Sequence, residues 1–256
     1  MKRLTVLMLL VSIFFYFGVA GELQNTIAEA IGVWLFDEGN GNKVKDASGN
    51  GHDGEIVGEV AWVDGKFEKA LEFNGGHVLV PHGDVMNLRQ WTMTAWIKVP
   101  KIVNPYQVIV GKEAWPNRNY TMWIRPGVMT FGFTLPGGAQ DLQVGSKVVT
   151  DNQWHFVAGV YDEKNLTPYV DGEQFNPRGA AGKPATSGAP LIIGAQGPDG
   201  KNGPLKGIID EVAVYNTALG EDEITEVMEG LTKQFQAVEA AGKLAIIWGS
   251  IKESSK

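Results

Sequence analysis

"WTMTAWIKV", residues 91–99, alternates without a break. Trp91, Met93, Ala95, Ile97 and Val99 share one parity; Thr92, Thr94, Trp96 and Lys98 take the other. Successive side chains of a strand point to opposite faces, so this predicts a strand with one face on a core. The same character recurs in "NYTMWIR" (119–125), "VMTFGFTL" (128–135) and "WHFVAGVYD" (154–162). "YVDGEQF" (169–175) sets Asp171-Gly172 between two strand-like flanks, a two-residue hairpin signal. Short alternating segments punctuated by Gly and Pro follow one another to about residue 220, the spacing of a sandwich or jelly roll.

The period then changes. In "GEDEITEVMEGL" (220–231), Ile224, Val227, Met228 and Leu231 fall on one helical face. Glu221, Asp222 and Glu223 occupy the first turn, where the helix dipole favours negative charge. Gly220 is the expected cap and Gly230 the expected end. At the other end, Lys2 and Arg3 precede an apolar run from Leu4 to Ala20 that closes on Gly18 and Ala20, a signal peptide with cleavage after Ala20. The expected organisation is a signal peptide over 1–20, one all-β domain over 21–219, and a helix with a tail over 220–256. After cleavage no segment spans a membrane.

Removing Lys2 and Arg3 takes the formal charge from −7 to −9. An acidic chain without a basic block argues against nucleic acid as partner. There is no cysteine, which excludes thiolate catalysis and zinc–thiolate sites.

The order of motifs carries more than any one of them. "VWLFDEGNG", "DASGNGHDG", "VDGKFEKALEFNGG", "WTMTAWI", "WHFVAGVYD", "YVDG", "PLIIGA" and "GIIDEVAVYNTAL" succeed one another over roughly Gly32 to Leu219. Together they resemble the laminin G-like members of the concanavalin A-like lectin/glucanase superfamily, in its exported bacterial form. The resemblance implies a jelly roll of two antiparallel sheets, one concave and one convex. Two departures stand out: Pro168 before "YVDG", which suggests an edge or bulge, and Gly220 where a Ser or Thr cap is common.

Some proteins with this fold are glycosidases or polysaccharide lyases. A glycosidase needs two carboxylates flanking the scissile bond, and no strand carries E-x-D-x-E or E-x-D-x-x-E. Asp210 and Glu211 are sequence neighbours, expected on opposite sheet faces. Tyr120, Arg125 and His155 supply the residue types of a lyase. The four histidines (His52, His77, His82, His155) are scattered, with no H-E-x-x-H or G-x-S-x-G. Catalysis is the less favoured reading.

Asp46, Ser48, Asn50 and Gly51 begin like a calcium loop, but Val57 stands where an EF-hand needs its closing carboxylate. Relatives of the resembled kind often hold calcium between the first loops and the last long strand. The resemblance therefore implies structural calcium, with Glu38, Asp46, Asn50 and Asp210 as candidate ligands. The alternative is that Asp46 caps a turn while Asp210 pairs with a cation.

Eight tryptophans in an acidic exported sandwich suit sugar recognition. Trp34, Trp96, Trp123 and Trp154 lie within strand patterns and read as core. Trp115 lies in "GKEAWPNRNY" (111–120), a segment whose aromatic, cationic and amide groups suit hydroxyl or carboxylate recognition. Trp115, Arg118 and Tyr120 are the candidate ligand residues. The sequence thus leads to an exported, non-catalytic, calcium-stabilised module, secreted or at the cell surface, that binds carbohydrate or a surface protein. A carbohydrate-active enzyme and a purely structural surface protein are the alternatives.

Overall fold

The structure is a computed structural model and describes residues 30–100, 106–197 and 199–231. The signal-peptide run and the tail after Leu231 lie outside the described residues. Two antiparallel sheets pack face to face. The first has nine strands. Its path runs from β14 (Glu173–Gln174) through β13 (Asn165–Val170), β12 (Trp154–Tyr161), β7 (Trp91–Lys98), β17 (Lys206–Tyr215) and β5 (Lys69–Asn74) to β4 (Val60–Asp64). Beside that path, β1 (Ala30–Trp34) pairs with β17 and β15 (Arg178–Gly179) pairs with β13.

The second sheet has eight strands. It runs from β11 (Asp141–Val148) through β10 (Val128–Thr134), β9 (Asn117–Ile124), β8 (Gln107–Ala114), β16 (Leu191–Ile193), β6 (His77–Val80) and β3 (Gly54–Val57) to β2 (Lys43–Val44). One helix, α1 (Glu221–Met228), follows the last strand.

The alternation of residues 91–99 is realised in full. Trp91, Met93, Ala95, Ile97 and Val99 enter the core between the sheets, where they meet Tyr120, Met122, Ile124, Phe131 and Phe133 from the second sheet. Trp91 lies 5.8 Å from the Tyr161 ring and 6.3 Å from that of Tyr120. Burying each large apolar side chain contributes about 1.5–3 kcal/mol. A cation also enters this interior. Lys112 is fully buried, donates to the carbonyls of Ser187 (3.2 Å) and Ala189 (2.7 Å), and lies 2.9 Å from His82 Nδ1. Burial pulls its ammonium down to about 8, against the field of Asp84.

The other parity builds a second apolar layer on the outside of the nine-stranded sheet. Trp96, Phe156, Tyr169 and Tyr215 pack there against Ile224, Val227 and Leu231. Helix α1 closes this face, as its apolar period predicts. Gly220 has no side chain to cap with; instead its N–H donates to Glu223 Oε2 at 2.7 Å, one half of a capping box. The hairpin turn falls at Asp171 (φ 55°) and Gly172 (φ 78°), the paired left-handed conformations of a type I′ turn. Pro168 sits between the stretch of β13 that pairs with β14 (Tyr169, Val170) and the stretch that pairs with β15 (Asn165, Leu166). A residue without an N–H fits that gap in the edge ladder.

Candidate functional site

The outer face of the eight-stranded sheet is built differently. In β9, Tyr120, Met122 and Ile124 point into the core, so Thr121 and Trp123 point away from it. Near the tip of the β8–β9 hairpin the register slips: Lys112 pairs with Tyr120, whereas Glu113 pairs with Arg118. Asn119 is the extra residue of this bulge, and it returns Arg118 to the outer face beside Thr121 and Trp123. Asn119 itself is buried and grips Leu88 through both its main-chain groups, N–H to Oδ1 at 2.7 Å and carbonyl to Nδ2 at 3.1 Å.

A continuous polar chain crosses this face. Glu113 accepts from Arg118 Nε at 2.5 Å and from Thr121 Oγ1 at 3.2 Å. Arg118 Nη1 donates to Asp141 Oδ1 at 2.8 Å. Asp141 accepts from Gln143, whose Oε1 accepts from Arg125 Nη1 at 2.8 Å. The two guanidiniums lie over Trp123, at 4.8 Å for Arg118 and 5.4 Å for Arg125. Arg125 also lies 5.2 Å from the ring of Tyr106, whose hydroxyl donates to Gln196 Oε1. Burial, reinforced by the charge of Glu113 and opposed by both arginines, raises the Tyr106 phenol to about 12. That phenol remains a neutral donor.

Glu113 and Arg118 are buried, Trp123 wholly so, while Arg125 and Asp141 are exposed and Gln143 half-exposed. The face therefore presents hydrogen-bonding groups whose positions are fixed from beneath. Rigid, pre-paired groups on a sheet suit a polyhydroxylated ligand, which needs several donors and acceptors in register. At the head of the hairpin Trp115 is 71% exposed, and its ring lies 5.8 Å from the Arg118 guanidinium. Gly137 donates its N–H to Asn117 Oδ1 at 2.9 Å, so the neighbouring turn braces the tip.

Of the expected ligand residues, Trp115 and Arg118 come together here and Tyr120 does not. Tyr120 faces the core, fully buried, and its hydroxyl has no hydrogen-bond partner. Burial pushes its phenol well above the ordinary tyrosine range. The bulge at Asn119 is the reason: it gives Arg118 and Tyr120 opposite faces despite their spacing of two. Trp123, expected in the core, lies on the outer face beneath the arginines. Glu113, Asp141, Gln143 and Tyr106 carry no local signal of this role, and Arg125, read from sequence as a lyase-type residue, joins them here; the parity of Thr121, Trp123 and Arg125 signals part of it.

The four candidate calcium ligands do not converge. Asp46 Oδ1 accepts the N–H groups of Val33 (3.0 Å) and Ser48 (2.9 Å), and Oδ2 that of His52 (2.9 Å). Asn50 donates its amide to the carbonyls of Ala30 and Ile31, and Glu38 accepts from the Lys45 N–H. Asp210 Oδ2 accepts from Lys66 and Phe67 N–H at 2.8 and 2.9 Å, and its Oδ1 has no hydrogen-bond partner. Burial, with charge from Glu211 and Asp37, raises this carboxyl to about 8 against those two N–H bonds. Calcium asks for six to eight oxygens. Among the described residues no group of three or more His, Asp or Glu side chains is arranged to hold an ion. Asp46 is a loop-closing acceptor, Glu38 and Asn50 are engaged with backbone, and of the four it is Asp210 that keeps a buried carboxylate oxygen without a hydrogen-bond partner.

The catalytic constellations fare similarly. Tyr120 is in the core, Arg125 is on the outer face of the eight-stranded sheet, and His155 lies in β12 between Asp171 (2.8 Å) and Asp151 (3.1 Å). Asp210 and Glu211 do not point to opposite faces as their adjacency suggests. The register between β17 and β7 shifts after Asp210, and Glu211 takes φ 45°. This bulge turns both side chains outward, Asp210 beside Trp96 and Glu211 to the Leu231 N–H at 2.8 Å. Both are buried and tie down backbone.

Comparison with known proteins bears on this architecture. A family model, Laminin_G_3, described as "Concanavalin A-like lectin/glucanases superfamily", matches residues 73–225. Paraclostridial mosquitocidal protein 1 of Paraclostridium bifermentans is 22% identical over 225 residues, which is 79% of this chain and 17% of that protein. The crystal structure of its binding domain superposes with a TM-score of 0.65 at 17% identity, covering 79% of this chain and 52% of that one. Domain 4 of AbnA, a GH43 extracellular arabinanase from Geobacillus stearothermophilus solved with arabinotriose, gives 0.61 at 21% identity, covering 78% and 98%. The botulinum neurotoxin serotype G binding domain gives 0.62 at 12%, covering 77% and 50%. At these identities the likeness is one of fold. The chain spans about one sixth of the curated toxin and about half of the two toxin binding domains.

Proposed function

The chain belongs to the Laminin_G_3 family of the concanavalin A-like lectin/glucanases superfamily, and on that premise we propose that it is a non-catalytic module that binds carbohydrate on the outer face of its eight-stranded sheet. The observation that carries the reading is the pre-ordered chain from Glu113 through Arg118, Asp141 and Gln143 to Arg125, with the exposed Trp115 at its head. An indole face stacks on the apolar face of a sugar ring, while Arg125, Gln143 and Asp141 meet its hydroxyls. The buried contact with Arg118 leaves Glu113 engaged, which suits a binding role better than an acid–base pair.

The similar fold of a domain solved with arabinotriose supports a glycan over other ligands. On this reading residues 1–20 are a signal peptide and the module works outside the cytoplasm, where such glycans are met. A glycan array followed by calorimetry on the positives tests it. Trp115→Ala and Arg125→Ala are each expected to weaken binding about tenfold or more, with the melting temperature nearly unchanged. Binding that survives both substitutions removes this face. Capture of a surface protein with no glycan bound would replace carbohydrate as the partner.

A further inference from the structure

A concavity lies on the other side of the molecule, a cleft of about 430 Å³ on the outer face of the nine-stranded sheet. Its size is within the range of small-ligand sites, about 300–1,000 Å³. Four strands meet across it in exact register. Ala61 of β4 pairs with Glu72 of β5, Glu72 with Ile208 of β17, and Ile208 with Lys98 of β7. The row therefore reads carboxylate, aliphatic floor, ammonium. Its charged ends are two strand spacings apart, about 10 Å at the backbone.

Lys206 is paired with Asn74 two residues along the same strands, and Asn152 and Glu59 complete the polar wall. Glu59 is held by Asn74 Nδ2 at 2.6 Å. Among the described residues, Glu72, Lys98 and Lys206 form no side-chain hydrogen bond or ion pair, whereas Lys43, Lys69, Lys147 and Lys201 each have a carboxylate partner.

We propose that this cleft is a second binding site, selective for a zwitterion whose ammonium and carboxylate sit on either side of a small apolar group. Glu72 receives the ammonium, Ile208 the apolar centre, and Lys98, with Lys206, the carboxylate. With Glu72 and Lys98 leaning in over Ile208, the matching ligand has charges about 6–7 Å apart, the span of an extended dipeptide. A short free peptide is thus the simplest ligand of this class. A plain anion would face Glu72, and a plain cation would face two lysines. The site is independent of the glycan face, which lies across the sandwich.

The test is a titration of the full chain, followed by backbone amide NMR, with three probes: L-alanyl-L-alanine, its N-acetyl form and its C-terminal amide. The free dipeptide is expected to shift amides of 58–61, 72–74 and 206–208, and blocking either terminus to weaken it about fivefold, as for a partly exposed ion pair. Glu72→Gln is expected to abolish the penalty for acetylation alone. Lys98→Met is expected to abolish the penalty for amidation alone. Both are substitutions at a surface where folding is insensitive. Equal affinity for the three probes, tightest binding by a blocked one, or no perturbation around the cleft would each overturn the proposal. None of these results alters glycan binding on the opposite face.

Discussion

The two sheets share an apolar interior but treat their outer faces in opposite ways. Over the nine-stranded sheet, Trp96 meets Phe156 at 5.6 Å and Phe67 at 6.0 Å, and helix α1 seals the layer. Over the eight-stranded sheet no helix among the described residues covers Trp123, and two arginines, held by carboxylates and an amide, lie on it. The first face contributes stability by removing apolar area from water. The second keeps its aromatic dry with groups that themselves meet solvent and a ligand. What differs is whether the cover is made of methyl groups or of charge.

Removing the aromatic from the sealed face has the largest expected effect. Trp96→Ala should lower the unfolding free energy by about 3–5 kcal/mol, read from urea denaturation, with glycan binding retained. On the charged face, Glu113→Ala leaves the buried Arg118 with Asp141 alone and should cost about 3 kcal/mol. The double replacement Glu113→Leu with Arg118→Met should recover much of that loss while abolishing binding. A loss no smaller in the double variant would mean that the ion pair is not what holds this face.

The edge of the sealed layer depends on Asp46, which accepts the Val33 N–H at 3.0 Å. Asp46→Ala should cost about 2 kcal/mol through lost charge-assisted hydrogen bonds. A calcium-dependent rise in melting temperature in the wild type, absent from Asp46→Ala, would support the structural calcium that the resemblance implies; no response in either protein would end that reading.

A smaller effect comes from between the sheets. Lys112 titrates near 8 when folded against 10.5 when unfolded. Its contribution is complete above about pH 10.5 and is lost as pH falls through about 8. Relative to Lys112→Met, the wild type should gain about 1 kcal/mol per pH unit on going from pH 8 to 10. Parallel stability curves would place the charge elsewhere.

The sandwich was legible because alternation is a local property, and residues 91–99 state it without ambiguity. The helix was equally readable from Ile224, Val227, Met228 and Leu231. The site was half legible. Trp115 and Arg118 were found from residue type, but Tyr120 and Trp123 were exchanged between core and surface. Trp123 shares its parity with Thr121 and Arg125, so residue type and not parity misplaced it; for Tyr120 the bulge matters, because one inserted residue, Asn119, reverses the alternation between it and Arg118. The same device at Glu211 joined two carboxylates that simple alternation separates. Asp141 and Gln143 reach the site from a strand some twenty residues away, through a register that no local pattern encodes.

Ala30 and Leu231, the first and last described residues, both lie in the layer sealed by the helix. That layer and the charged face are on opposite sides of the sandwich. The two faces can therefore be engaged at once, since a ligand on the polar row from Glu113 to Arg125 and a contact on the helix-sealed layer share no residue.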